Sequence, residues 1–257
     1  MASSQETFNF SGQGQLSFGE RNESGEPDKG FTFLGDCSKL ELKCTVDRKE
    51  HNEHQSGFNG VDNVFEAAQK VEMNFDLDEF VEEAVNLYVY GNTTRTLAAT
   101  ITAEAAKLYL GKEVPTSFIP DKSEAITVTD AGGGTTYTLG TDYKIGNTGL
   151  IYVPSTGSAI TDGQDVEVNY QSKDERITTA FTQQNKSYYF RFDGLNRAHD
   201  GKEVVIEIYK GRVNPAEMLD VINDDFATYS VGGMALYDKN HVDNSAYGAY
   251  FRIRVVE

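Results

Sequence analysis

The chain has 257 residues, and its 23 basic and 40 acidic side chains give a formal charge of −17. This length suits one large β domain or two small ones. So negative a charge argues against a protein that grips nucleic-acid phosphates, because such binding depends on clustered lysine and arginine. No stretch approaches the ~18 consecutive apolar residues that span a bilayer, and residues 1–6 show no secretory signal. We therefore expect a protein that folds in a cytosol and has no membrane partner.

The first 36 residues are polar and rich in glycine, and their apolar side chains recur at intervals of two. These apolar residues are Phe8 and Phe10, Leu16 and Phe18, and Phe31 and Phe33. Spacing by two is typical of short extended segments with one apolar face. Because so few apolar residues are available for burial, we predict an extended arm over residues 1–36 that is not ordered before assembly.

Two alternating runs, residues 39–47 and 69–76, follow this arm and predict a pair of strands. The polar segment between them predicts a long loop over residues 48–67, and loops of that length are usually functional or mobile. This loop contains His51 and His54, which could in principle bind a metal. No third ligand is fixed nearby, so a solvated loop is the better interpretation.

Helical periodicity begins at Asp76 and predicts a helix over residues 77–90, capped by Asp76 and closed by Gly91. Its apolar face consists of Phe80, Val81, Ala84, Val85 and Tyr88. In residues 93–175, short alternating runs are separated by glycine-rich turns about every ten residues, which is typical of a small β-sandwich of the immunoglobulin-like kind. Alternating runs like those of residues 39–47 and 69–76 resume over residues 176–257. The sequence therefore predicts a mainly β fold with one helix, in which a domain formed by residues 1–92 and 176–257 carries an inserted β module.

Catalytic signatures are missing from the sequence. It contains no nucleophile elbow, no dinucleotide-binding fingerprint and no complete metal motif. Carboxylate pairs such as Asp224 and Asp225 are common in so acidic a chain, and nothing marks them as an acid/base pair. We therefore expect no enzymatic activity, no metal and no cofactor.

The predicted strands have one apolar face, which can form a core against the helix, and one charged face. The charged face holds Glu41, Lys43, Glu72, Asp76, Arg191, Asp193 and Glu207. A sheet with one core face and one hydrated face is ordinary. If such sheets joined edge to edge around a ring, however, the hydrated face would form the wall of an acidic channel that repels a phosphate backbone. These seven residues are therefore candidates for a channel-lining surface.

A series of structural motifs adds a family resemblance. The motifs are residues 31–35, the strand 39–47 with its long loop, the capped stretch 75–91, residues 192–196, residues 213–226 and residues 232–238. In their order along residues 30–91 and 176–257, the chain resembles the major tail tube proteins of long-tailed bacteriophages.

The resemblance implies a β-sandwich or barrel with one flanking helix, which forms hexameric rings that stack into a hollow tube. DNA would pass through the lumen without specific binding, and the inserted module would lie on the tube exterior. The protein would be a virion component assembled in the host cytoplasm. Its partners would be further copies of itself, the tail tip or baseplate, the tape measure protein and the tail terminator protein.

By position, the resemblance also assigns two sets of contact residues. The loop between stacked rings would include Lys49, His51, His54, Gln55 and Phe58, and the arm between neighbouring subunits would include Phe8, Phe10, Leu16 and Phe18. Two other functions remain open. One is a cell-surface or carbohydrate-binding β protein, against which weigh the lack of tryptophan, of a signal and of a paired disulfide. The other is a tube ring protein of a secretion system, which would more often lack the insert.

Overall fold

A computed structural model describes residues 9–55, 57–79, 81–215, 221–222, 224–242 and 248–256. Within these ranges the chain forms sixteen strands and one helix, and strands account for 53% of the structure. The prediction of a mainly β fold with one helix is therefore confirmed. The chain divides into two compact units: unit 1 comprises Met1–Asn92 with Thr178–Glu257, and unit 2 comprises Thr93–Ile177.

In chain order the elements are β1 (Gly12–Glu20), β2 (Thr32–Phe33), β3 (Cys37–Asn52), β4 (Val61–Leu77), α1 (Glu82–Val89), β5 (Asn92–Thr96), β6 (Thr100–Leu108), β7 (Glu113–Pro115), β8 (Thr127–Asp130), β9 (Lys144–Ile145), β10 (Leu150–Tyr152), β11 (Gln164–Gln171), β12 (Glu175–Thr179), β13 (Tyr188–Asn196), β14 (Lys202–Val213), β15 (Tyr229–Ala235) and β16 (Phe251–Val255).

Unit 1 is built on one antiparallel sheet of eight strands. Seven of them follow the order β2-β1-β13-β14-β15-β4-β3, and the eighth, β16, also pairs with β14. The long strand β14 has two successive partners on one edge, because β16 pairs with Val204–Ile208 and β15 with Gly211–Val213. The sheet therefore forks at β14, and one branch continues through β15 into β4 and β3.

The core of unit 1 lies between one face of this sheet and α1. Alternation along β4 turns Met73, Phe75 and Leu77 to the same face, where all three are fully buried. They pack with Phe190 of β13 and with the apolar side of α1, and they form one continuous cluster. Burial of these large side chains is the main contribution to the stability of the unit.

The helix is shorter than the prediction of residues 77–90, because the sheet extends further along the chain. Asp76 and Leu77 belong to β4, where they pair with Ser230 and Tyr229 of β15, so Asp76 is not the helix cap. The observed cap is Val81, which makes no capping hydrogen bond through its side chain. Phe80 lies outside the described residues.

One hydroxyl group in this core has no hydrogen-bond partner among the described residues. It belongs to Tyr88 of α1, whose ring stacks on Tyr229 with the centroids 5.9 Å apart. Burial raises the pKa of Tyr88 to about 12. A buried hydroxyl without a partner costs on the order of 1–3 kcal/mol, since it has lost its hydrogen bonds to water.

We expect Tyr88→Phe to raise the free energy of unfolding by up to about 1 kcal/mol, because it removes this unsatisfied group and keeps the ring. Urea denaturation measures the change. Tyr90→Phe is the matched control, because the Tyr90 hydroxyl donates to the carbonyl oxygen of Val213 at 2.6 Å and accepts from the amide of Asn185. That control should lose about 1 kcal/mol. Equal losses in the free energy of unfolding from both substitutions would contradict the conclusion that the Tyr88 hydroxyl lacks a hydrogen-bond partner.

Unit 2 contains two three-stranded antiparallel sheets, β7-β10-β9 and β6-β11-β8. Their inner faces bury an apolar cluster that includes Leu108, Val128, Ile151 and Val168. Separately, β5 and β12 form a two-stranded sheet. Unit 2 therefore has a hydrophobic core of its own.

Candidate assembly surface

The hairpin of β3 and β4 extends well beyond the rest of the sheet. The two strands have 16 and 17 residues and pair from Cys37↔Leu77 to Asn52↔Val61. The neighbouring strand β15 covers β4 only from Val71 to Leu77. We call residues 46–70 the hairpin arm, and it forms a two-stranded ribbon with no third strand among the described residues.

The predicted loop over residues 48–67 is wrong, because the strands continue through most of it. Lys49 and His51 lie in β3, whereas His54, Gln55 and Phe58 lie in the connection between the strands. Both faces of the arm meet water, so its apolar and polar residues do not alternate in a way that could reveal a strand. Two cross-strand ion pairs support the pairing, Arg48 with Glu66 and Lys70 with Asp47, and His51 Nδ1 lies 2.6 Å from the Asp62 carboxylate.

The hairpin arm also exposes large apolar side chains. Phe58 at the connection is 90% exposed, and four further residues are exposed along the ribbon, namely Val46, Val61, Val64 and Phe65. An isolated two-stranded hairpin is at best marginally stable in water. A ribbon with these side chains on its surface therefore has the character of a contact surface for another molecule.

Part of the predicted N-terminal arm is also a strand in the observed structure. Phe8 lies outside the described residues, and Phe10 is exposed. Leu16 and Phe18, however, lie in β1 opposite Phe192 and Phe190, and Leu16 is 1% exposed within the core of unit 1. The expectation of an extended arm over residues 1–36 is therefore wrong from residue 12 onward, since β1 is an integral strand of the sheet.

Four of the seven candidate channel residues lie on the part of the charged sheet face formed by β3 and β4. Glu41, Lys43, Glu72 and Asp76 retain contact with solvent there. The Lys43 ammonium lies 3.1 Å from Glu72, and Asp76 accepts a hydrogen bond of 2.6 Å from the Ser230 hydroxyl. Each of these charged or polar groups thus has a partner close by on the same open surface.

The other three candidates, Arg191, Asp193 and Glu207, lie on β13 and β14, where the prediction of an open face is wrong for Glu207. Only 5% of Glu207 is exposed. Its carboxylate contacts Arg252, lies 3.0 Å from Arg191 Nη1 and lies 3.4 Å from Arg254 Nε. Burial alone would raise the pKa of Glu207, but the three guanidinium groups outweigh it and hold the pKa below its ordinary value.

A second small core covers the sheet beside Glu207. The His241 ring stacks on Tyr209 of β14 at a centroid distance of 4.2 Å, and His241 Nδ1 lies 2.9 Å from Asp238. Asp238 is buried, and its carboxylate also accepts a hydrogen bond of 2.5 Å from Arg21. This cluster joins residues 21–26 to residues 238–241, far apart in sequence, so alternation within single strands could not reveal it.

Within the described ranges, no group of three or more His, Cys, Asp or Glu side chains could hold a metal ion. The described helix is too short and too polar to cross a membrane. Cys37 and Cys44 are both free thiols.

Comparison with known protein families identifies one that covers most of the chain. No curated protein matches the chain. One family model matches residues 9–254, which is most of the sequence, and it is described as a protein of unknown function, UCP028589. The chain therefore belongs to the family UCP028589.

Proposed function

We propose that this protein is a virion structural subunit that assembles into stacked hexameric rings and so forms a bacteriophage tail tube. The hairpin arm carries this proposal, because it is a long exposed ribbon beside which no third strand lies among the described residues. The order of motifs that resembles the tail tube proteins supports it from the sequence. The protein would act without enzymatic chemistry, and it would assemble in the host cytoplasm into the tail of the virion.

Open sheet edges provide the physical means of assembly. The outer edge of β3 has no neighbouring strand among the described residues, and neither has the outer edge of β16. Exposed edges promote pairing with other chains unless something blocks them. Contacts between two different surfaces of identical subunits generate closed rings or extended stacks. The tape measure protein would occupy the lumen during assembly, and the tip or baseplate and the terminator protein would bind the two ends.

The open charged face on β3 and β4 is the best candidate for the lumen wall. Its lysines are held by carboxylates, since Lys39 pairs with Glu41 and Lys43 with Glu72, each at 3.1 Å. Lysines neutralised in this way offer little net positive charge to a phosphate backbone. Such a wall would let DNA pass without holding it.

Negative-stain electron microscopy of the purified protein over a range of concentrations tests the proposal. We expect rings with a central pore, and hollow tubes of constant diameter at higher concentration. A protein that remains monomeric at all concentrations, even with the tail tip components added as initiators, would overturn it.

The charge of the lumen wall gives a second test. We expect Glu41→Lys with Glu72→Lys to leave tubes intact but to slow the exit of DNA, because four lysines on each copy would then face the phosphates unpaired. DNA release from assembled virions, followed by a fluorescent dye, measures the rate. The matched control is Glu20→Lys with Glu83→Lys, at exposed positions on the side of the sheet that carries α1. Release at an unchanged rate would contradict the assignment of this face.

A further inference from the structure

A cleft of about 400 Å³ opens on the surface of unit 1 beside the C-terminal end of α1. It is lined by the last turn of α1, by the end of β1 and by the segment 183–188, which leads into β13. Its volume lies within the range of about 300–1,000 Å³ that is usual for sites of small organic ligands. Among the described residues, those that line the cleft belong neither to the hairpin arm nor to the channel candidates, so neither of those surfaces uses it.

Hydrogen bonds hold the residues around this cleft in place. The backbone N–H of Phe181 donates to the carbonyl oxygen of Val89, and that of Gln183 donates to the carbonyl oxygen of Tyr90, each at 2.9 Å. The amide of Asn185 donates to the Tyr90 hydroxyl at 2.7 Å. The segment 181–185 is therefore fixed to the end of α1, and binding in a preformed cleft costs less conformational entropy than the ordering of a loose segment.

Carboxamides are the most frequent polar side chains in the cleft. Five of the lining residues are asparagine or glutamine, namely Asn86, Asn92, Gln183, Gln184 and Asn185. Among the described residues, the side chains of Asn92, Gln183 and Gln184 have no hydrogen-bond partner. A carboxamide both donates and accepts hydrogen bonds, so its best complement is a group that does the same, such as a hydroxyl.

The charges around the cleft disfavour an anionic ligand. Its lining includes the carboxylates of Glu20 and Glu83 and one ammonium group, that of Lys186, so their formal charge is 1 − 2 = −1. The Lys186 ammonium already lies 3.2 Å from the Glu20 carboxylate. A phosphate, a sulfate or a carboxylate would therefore meet a negative potential there.

Aromatic side chains supply the apolar part of the lining. Phe18 and Tyr188 are half-buried and pack edge to face, with their ring centroids 5.3 Å apart, and Tyr90 also lines the cleft. A pyranose presents C–H groups on the faces of its ring and hydroxyl groups around its edge. The faces can pack on aromatic rings, and the hydroxyl groups can bond with carboxamides. A purely apolar ligand, in contrast, would cover the carboxamides without replacing their hydrogen bonds to water.

We propose that this cleft binds a neutral oligosaccharide. The aromatic lining, Tyr188 above all, would pack against the face of a sugar ring, and the carboxamides of Gln183 and Gln184 would bond with its hydroxyl groups. The inference goes beyond the proposed function and does not depend on it, because it rests on the chemistry of the cleft alone.

An array of immobilised glycans tests the proposal, with neutral oligosaccharides of hexoses and N-acetylhexosamines beside sialylated and sulfated ones. We expect the full-length protein to bind neutral members of the array. Calorimetric titration with the neutral oligosaccharide bound best should then show a Kd at least about tenfold higher for Gln183→Ala with Gln184→Ala, because two hydrogen-bonding groups are lost. Gln13→Ala with Gln15→Ala, at exposed positions of β1 outside the cleft, is the matched control and should bind like the unaltered protein.

Three results would overturn the sugar site. The first is binding to no neutral glycan, or only to sialylated and sulfated ones. The second is equal weakening by both glutamine pairs, which would place sugar binding elsewhere on the chain. The third is a change in sedimentation of the variant Gln183→Ala with Gln184→Ala without a change in sugar binding, which would mean that a segment of a second copy occupies the cleft. Whether the protein forms tubes is decided separately by electron microscopy.

Discussion

Replacing residues 47–68 with Asn-Gly is expected to give a folded monomer that no longer forms rings or tubes. The shortened hairpin keeps the pair Val46↔Gln69 and closes with a two-residue turn that favours antiparallel strands. Because most of the deleted side chains are exposed, the free energy of unfolding should change by less than about 1 kcal/mol. Assembly should be lost, because the arm holds the exposed apolar residues that would contact a second copy.

Circular dichroism and urea denaturation measure the folding of this variant, and sedimentation velocity with electron microscopy measures its assembly. Leu97→Ser with Leu139→Ser is the control, because it removes two exposed apolar side chains from unit 2 and should assemble like the unaltered protein. Tubes of normal length from the shortened chain would show that the arm has no part in assembly. A variant that fails to fold would show instead that the arm stabilises its own subunit.

How far the hairpin could be predicted depended on which of its faces is buried. Residues 39–47 and 69–76 alternate because one face packs on the core, and both were predicted as strands. Beyond Val46, no face is buried, so alternation ends although pairing continues to Asn52↔Val61. Binary patterning reports burial and only indirectly reports secondary structure, which is why a doubly exposed ribbon looked like a loop.

Pairing between segments far apart in sequence explains the other differences between the predicted and the observed fold. The strand β1 pairs with β13, about 180 residues away, and no local signal in a glycine-rich segment could reveal that partner. The helix begins later than predicted for a similar reason. Asp76 and Leu77 have cross-strand partners in β15, and this pairing competes with helix formation. Local propensity ranked the helix higher at these positions, and tertiary pairing overrode it.

The candidate channel residues also include some whose exposure was predicted correctly and one whose exposure was not. Glu41, Lys43 and Glu72 were placed on an open face by strand alternation alone, and the structure leaves them open to solvent. Glu207 follows the same alternation, yet Arg191, Arg252 and Arg254 surround its carboxylate and leave it only 5% exposed. Alternation assigns a residue to a face of its strand, whereas the segments that cover that face come from distant parts of the chain.

Replacing the buried carboxylate of Glu207 is expected to be strongly destabilising. Glu207→Gln keeps the size of the side chain but leaves Arg191, Arg252 and Arg254 around a neutral group. Breaking a buried ion pair by removing one partner typically costs about 3–5 kcal/mol, because the remaining charge is left uncompensated. Urea denaturation at pH 7 measures this loss. The matched control is Glu203→Gln on the same strand, which is exposed and should change the free energy of unfolding by no more than about 0.5 kcal/mol.

The pH dependence of this difference distinguishes lost charge from disturbed packing. The pKa of Glu207 in the folded protein lies below its ordinary value, and the unfolded chain titrates near the ordinary value of about 4.3. The carboxylate therefore contributes its full stability above about pH 5, and the contribution is lost as the pH falls through the lowered pKa of the folded state. The stability gap between the unaltered protein and Glu207→Gln should thus be largest at neutral pH and narrow below pH 4. A gap that stays constant from pH 7 to pH 3 would mean that the amide disturbs packing and that the charge of Glu207 contributes little.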